Sequence, residues 1–169
     1  FILSCRYNLF HHNNLIFYRM TRENTRNKEA SPFRKPQGLR AIRFRLTAEA
    51  IEWLNGTTKD NGGDTIGNHV LFYGLLARMQ LIPGRDGSFR RPQELQAGQF
   101  QFSETGLAEE WNIGRKKARN LLATMERLGM IAVTASKTAS VVSMSCVEGW
   151  TNVQDNYVRN PCNTASNGI

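Results

Sequence analysis

The 169-residue sequence has little of three things that would mark it as another class of protein. Its three cysteines are an odd number at unpatterned spacing, which argues against a disulfide framework. No apolar run approaches the ~20 residues that a membrane-spanning helix needs. Acidic residues are also scarce, 14 against 22 Lys and Arg, for a formal net charge of +8. We therefore expect a cytoplasmic protein, outside the membrane, with a polyanionic partner such as nucleic acid.

Motifs of enzymatic chemistry are missing as well. The sequence has no paired-carboxylate motif, no nucleophile elbow and no phosphate-binding glycine loop. The adjacent His11 and His12 are too isolated for a metal site. We therefore predict a protein that is not an enzyme, with no metal, no cofactor and no small-molecule substrate.

Most of the excess positive charge lies near the start of the chain. Residues 1–40 contain eight basic and two acidic residues, whereas residues 41–150 contain 13 and 11. We predict a flexible basic arm over residues 1–38, with little apolar periodicity in most of its length. Because the first methionine is Met20, we expect residues 1–19 to be non-native upstream sequence.

The arm is followed by a predicted strand and helix. Apolar and basic residues alternate over Leu39–Leu46, which predicts a short strand. Thr47 is placed to cap a helix that runs through Leu54. The glycine-rich segment 55–64 is predicted to be a loop.

A more apolar helix is predicted over Thr65–Leu81. Its apolar residues cover more than one narrow stripe, so the helix must be deeply buried or shared with another chain. If the helix is shared with another chain, we expect a homodimer that forms through Ile66–Met79.

Two further helices are predicted on either side of a short turn. Ser103 is placed to cap a helix that ends at Trp111, and residues 112–114 form the turn. A second helix is predicted over Arg115–Leu128, with Gly129 as its stop.

A β-hairpin is predicted after these helices, from the β-branched runs Met130–Thr134 and Ser140–Cys146. Helix, turn, helix and hairpin in this order form a winged helix-turn-helix. We therefore predict an α+β fold, mainly helical, with about four helices and a small antiparallel β-hairpin as the wing. The domain would span residues 39–150, with the first strand and helix as an extension, and residues 151–169 would form a flexible C-terminal tail.

The second of these helices carries the candidate contacts to duplex DNA. An α-helix fits the major groove, where its first turns come closest to the base edges. Arginine can bind guanine, asparagine can bind adenine, and lysine can hold phosphates. The predicted DNA-binding residues are Arg115, Lys116, Lys117, Arg119, Asn120, Arg127 and, at the tip of the hairpin, Lys137.

A series of residues in the same region follows a recognisable pattern: Gly98, Gln99, Phe100, Ser103, Leu107, Ala108, Trp111, Leu121, Leu122, Leu128, Gly129 and Ile131. This pattern resembles the winged-helix module of DnaD-type and phage or plasmid replication-initiation proteins. Residues 69–80 resemble the first, buried helix of that module, so the resemblance covers roughly residues 66–148. One departure is Gly114, which stands where such proteins usually have Ser or Thr as the helix cap.

The resemblance implies a DNA-binding module with Arg115–Leu128 as its recognition helix. We expect a role in replication initiation, or its regulation, for a bacterial mobile element, phage or plasmid. Two alternatives stay open: a winged-helix transcriptional regulator, and a winged helix that serves as a protein-interaction or dimerisation scaffold.

Overall fold

The computed structural model describes residues 15–19, 38–135 and 140–163. In the latter two ranges, helices take 30% of the residues and strands take 31%. The prediction of a mainly helical fold is therefore wrong: the fold is α+β, with nearly equal numbers of residues in helices and in strands. The difference arises because many of the strands are two to four residues long, too short to leave an alternating pattern in the sequence.

The described residues form four helices and eleven strands. The helices are α1 (Ala48–Asn55), α2 (Asn68–Leu76), α3 (Glu104–Glu110) and α4 (Arg115–Arg127). The strands are β1 (Leu15–Arg19), β2 (Leu39–Arg45), β3 (Thr57–Lys59), β4 (Thr65–Gly67), β5 (Gly84–Arg85), β6 (Glu94–Leu95), β7 (Gln99–Phe102), β8 (Ala132–Ala135), β9 (Ser140–Ser143), β10 (Val147–Asn152) and β11 (Tyr157–Arg159). They pair in four antiparallel sheets, in the orders β1-β2-β10-β11, β3-β4, β5-β6 and β7-β9-β8.

The predicted helix caps are confirmed. The Thr47 hydroxyl accepts a hydrogen bond from the Ala50 amide at 3.1 Å, at the start of α1. The Ser103 hydroxyl accepts one from the Gly106 amide at 3.0 Å, at the start of α3. Gly129 follows α4 with φ +70°, a conformation that glycine adopts without steric cost. These ends are set by local chemistry, which is why the sequence predicts them.

The segment between α1 and α2 differs from the predicted loop and long helix. Strands β3 and β4 form a hairpin here, with Thr58 opposite Ile66, and α2 starts only at Asn68. The buried Asn68 side chain accepts a hydrogen bond from the Thr58 hydroxyl at 2.7 Å and donates one to the Trp53 carbonyl at 2.8 Å. This side chain therefore joins the hairpin to the end of α1 and fixes where α2 begins.

Helix α2 lies in the core of the chain itself. Leu71, Phe72 and Leu75 on this helix are all buried, and Val70 is its exposed large apolar residue, at 39%. Much of the broad apolar surface is thus buried within the chain, Ile66 and Tyr73 are half-buried, and the homodimer through Ile66–Met79 stays a prediction.

The three-stranded sheet β7-β9-β8 packs in the same core as α3 and α4. Its central strand is β9, whose buried Val142 lies opposite Phe100 of β7 and Val133 of β8. Leu107 of α3 and Met125 of α4 are fully buried in this core. The two helices therefore rest on a sheet as well as on each other.

Both ends of the described chain enter the four-stranded sheet. Residues 15–19 pair with β2 as β1, so this part of the predicted arm is a strand, while residues 1–14 and 20–37 lie outside the described residues. At the other end, residues 151–163 differ from the predicted flexible tail, because they complete β10 and form β11.

The buried Asn160 side chain helps to hold the C-terminal segment in place. It donates hydrogen bonds to the carbonyls of Met144 at 2.9 Å and Val147 at 2.8 Å. Its Oδ1 accepts a hydrogen bond from the Cys162 amide at 3.0 Å. Gly98, with φ +86°, lies directly beside the Asn160 side chain. A Cβ at position 98 would lie 2.0 Å from Asn160 Oδ1.

Replacing Asn160 by Ala is expected to lower the free energy of unfolding by about 2–4 kcal/mol, because its buried side chain loses three hydrogen bonds to the backbone. Urea unfolding followed by circular dichroism measures the loss. The matched control is Asn156→Ala, which removes an exposed asparagine from the turn between β10 and β11. Equal stability of the two variants would contradict the anchoring role of Asn160.

Candidate nucleic-acid interface

The turn between α3 and α4 is held rigidly. Ile113 is buried in the core, and its amide donates a hydrogen bond to the Ala108 carbonyl at 2.9 Å. Asn112 has φ +50°, in the left-handed region that asparagine tolerates better than most residues. The angle at which α4 leaves α3 is therefore set by side-chain burial and by backbone hydrogen bonds.

Helix α4 buries one face and exposes the other. Ala118, Leu122 and Met125 are buried. Positions four and seven residues apart share a face of a helix. The opposite face of α4 therefore carries three exposed residues with this spacing: Lys116, Asn120 and Arg127. The helix thus presents two basic side chains and one amide to solvent in a row along its axis.

Arg119 is bound by a carboxylate of α3. Its Nε lies 3.0 Å from Glu104 Oε1 and its Nη2 lies 2.6 Å from Glu104 Oε2, a bidentate pair. The hydrogen bond from Arg119 lowers the pKa of Glu104, and the same bond raises the pKa of Arg119. Arg115 is a weaker partner, with Nη2 4.0 Å from Glu104 Oε2. The structure therefore places Arg119 as a link between the two helices, where the sequence predicted a DNA contact.

Lys117 also points toward the protein rather than away from it. Its Nζ donates a hydrogen bond to the Lys59 carbonyl at the end of β3. Of the predicted contact residues, Lys137 lies outside the described residues. The structure thus brings Lys116, Asn120 and Arg127 together on one free face of α4 and draws Lys117 and Arg119 into contacts within the chain.

The tip of the β3–β4 hairpin lies against the turn between α3 and α4. The Asn112 amide group donates a hydrogen bond to Asp60 Oδ2 at 2.8 Å, and the Asn61 amide donates to the Asn112 carbonyl at 2.7 Å. The hydrogen bond from Asn112 lowers the pKa of Asp60. These partners are far apart in the sequence, so no local pattern could have predicted that the hairpin supports the start of α4.

Other chemistry has little support in the described part of the chain. It holds no group of three or more His, Cys, Asp or Glu residues that could bind a metal ion. Burial raises the pKa of the Cys146 thiol to about 12, so the thiol stays protonated at neutral pH. None of the described helices is long and apolar enough to cross a membrane.

No protein-family model, no curated protein and no solved structure matches the chain. The resemblance to the winged-helix module of replication-initiation proteins therefore stays a prediction.

Replacing Glu104 by Gln is expected to destabilise the protein at neutral pH and to matter less in acid. The folded-state pKa of Glu104 is below its ordinary value of 4.5, so its pairing stabilises the protein above that pH. The stabilisation is lost as the pH falls through the lower, folded-state pKa. Thermal unfolding at a series of pH values measures the Tm difference between wild type and Glu104→Gln. This difference should shrink as the pH falls below 4.5 and through the folded-state pKa of Glu104.

The control for this series is Glu109→Gln, because Glu109 is exposed on the same helix. We expect its Tm to follow that of the wild type throughout. A Tm difference for Glu104→Gln that stays constant down to about pH 3 would contradict the ion pair as its source.

Proposed function

We propose that this protein binds double-stranded DNA by placing the exposed face of α4 in the major groove. The observation that carries the proposal is the row formed by Lys116, Asn120 and Arg127. These side chains are exposed, and none of them has a hydrogen-bond or ion-pair partner among the described residues. Basic and amide groups of this kind bind phosphates and base edges.

The dimensions of α4 suit this role. Its 13 residues make a rod about 20 Å long and about 10–12 Å across, and the major groove is about 12 Å wide. Lys116 and Asn120 lie in the first half of the helix, where a docked recognition helix comes closest to the bases. Arg127 lies near the other end, which suits a contact to the phosphates at the edge of the groove.

The surrounding fold supports the same reading. Helix α2 is followed by the short β5–β6 hairpin and β7, then by α3 and α4, then by β8 and β9, and β9 lies between β7 and β8. This order supports the resemblance of residues 66–148 to a winged-helix module. The β8–β9 hairpin would then be the wing, and Lys137, predicted at its tip, lies outside the described residues.

The biological role that we propose is replication initiation, or its regulation, on a bacterial mobile element, phage or plasmid, in the cytoplasm. It is supported by the resemblance to replication-initiation proteins. Sequencing the DNA fragments that the protein retains from its host tests the role, because we expect repeated sites at a replication origin. Single operators upstream of genes would instead favour the transcriptional alternative.

Replacing both Lys116 and Arg127 by Ala is expected to weaken duplex binding and its dependence on salt. Each lost phosphate contact lowers the slope of log Kd against log salt concentration by about 1. Fluorescence anisotropy of a labelled duplex at several salt concentrations measures both the affinity and the slope.

The matched control is Arg90→Ala with Arg91→Ala, which removes two exposed positive charges outside α4. A general effect of net charge would lower affinity equally in both double variants. The proposal requires the larger loss in the α4 variant, and equal losses would contradict it.

A further inference from the structure

A carboxylate lies beside the proposed duplex-binding face of α4. Glu104, the first residue of α3, forms a bidentate ion pair with Arg119, with Oε1 3.0 Å from Nε and Oε2 2.6 Å from Nη2. Arg115 Nη2 lies 4.0 Å from the same Oε2. Among the described residues, Glu104 is the acid that pairs with basic side chains of α4. One carboxylate therefore faces two arginines of the proposed DNA-binding helix.

These two arginines border the row formed by Lys116, Asn120 and Arg127. Positions three or four residues apart are neighbours on the surface of a helix. Arg119 therefore lies beside Lys116, and Arg115 lies on the same side of the helix as Arg119. The row thus has two further positive groups along the edge that is nearest to Glu104.

The ion pair is open to solvent. The Arg119 side chain is 62% exposed and the Arg115 side chain 65%, whereas the Glu104 side chain is 28% exposed. Exposed ion pairs contribute little to stability, because water and salt screen them. Burial of side chains such as Leu107 and Met125 holds α3 and α4 in the core instead. The arginines can therefore leave the carboxylate without separating the two helices.

A phosphate of the DNA backbone can take the place of this carboxylate. Both groups present two oxygens to which a guanidinium donates two parallel hydrogen bonds. A helix docked in the major groove has phosphates beside it, where positive groups at its edge contact them. A phosphate and the Glu104 carboxylate carry the same sign of charge, so they compete for the arginines.

We propose that Arg115 and Arg119 form a phosphate-binding site, which Glu104 occupies in the protein without DNA. This inference rests on the proposed function, because the phosphate belongs to the duplex docked on α4. On binding, Arg119 exchanges the Glu104 carboxylate for the phosphate, and Arg115 pairs with the same phosphate. Glu104 thus acts as an internal competitor. It weakens binding of all duplexes alike, since phosphates carry no sequence information.

The test compares wild type with Glu104→Gln by fluorescence anisotropy of a labelled duplex. Glutamine keeps the size of the side chain and removes its charge. We expect about 2-fold to about 5-fold tighter binding, the fold-change that corresponds to one exposed ion pair no longer being broken. A purely structural role for Glu104 predicts the opposite sign, because a loosened α4 would bind more weakly.

The matched control is Glu109→Gln, which removes the same charge from an exposed position on the same helix. It measures the general effect of removing one negative charge, and the gain for Glu104→Gln must exceed it. A double-mutant cycle then identifies the partners of Glu104. In protein that carries both Arg115→Ala and Arg119→Ala, Glu104→Gln should gain no more than Glu109→Gln does.

A second measurement needs no variant that could lose its fold. The Nε–H signal of Arg119, followed by NMR in the wild-type protein, reports the group that accepts its hydrogen bond. We expect this signal to shift when the duplex is added, because the acceptor changes from a carboxylate to a phosphate. A signal that is unchanged at saturating duplex would contradict the exchange.

Two binding results would also overturn the proposal. One is folded Glu104→Gln that binds no tighter than Glu109→Gln, and the other is an equal gain when both arginines are absent. If Lys116→Ala with Arg127→Ala still weakens binding, the proposed function stands and the role of Glu104 alone fails. A duplex that neither wild type nor Glu104→Gln binds would overturn both proposals. A gain that requires the arginines, without any loss for the Lys116 and Arg127 variant, would support the phosphate site and contradict the row.

Discussion

Burial of one face of α4 is the constraint on which the candidate interface depends. Ala118 and Met125 are completely buried, and Leu122 is nearly so. A rotation of the helix would expose these side chains to water and carry Lys116 or Arg127 into the core, where an unpaired charge is strongly unfavourable. The outward direction of the basic row is therefore a result of core packing. The same packing against α3 and β8 prevents the helix from moving as a free arm.

Contacts between distant segments hold α4 at both its start and its side. Glu104 binds Arg119, so one basic residue of α4 is used to join the helix to α3. Lys117 and Asn112 join the start of α4 and the preceding turn to the β3–β4 hairpin. These contacts engage two of the predicted DNA-binding side chains within the chain and hold the start of α4 in a defined position. A helix held in this way would lose little conformational freedom on binding a partner.

The elements that the sequence predicted well are those determined by neighbouring residues. The caps at Thr47 and Ser103, the turn after Trp111 and the stop at Gly129 follow from hydrogen-bonding groups and backbone preferences within a few positions. The row on α4 follows from helical periodicity alone. In contrast, the β3–β4 strands are three residues long, and glycine-rich sequence around them is typical of a loop.

The remaining differences come from contacts that no local pattern records. Asn160 reads as a polar residue of a tail, yet it fills a space beside Gly98 and binds the carbonyls of Met144 and Val147. The pairing of Glu104 with Arg119 likewise depends on how α3 crosses α4. The width of the apolar surface on α2 was predicted correctly, but which residues cover it depends on the assembled core.

The most direct test of the central claim is amide chemical-shift mapping of the ¹⁵N-labelled protein during titration with a duplex that it binds. A helix that docks in the major groove should show its largest shifts at residues 114–120, with a second group near Arg127. Shifts concentrated on α2 or on the β5–β6 hairpin, with α4 unaffected, would contradict the account.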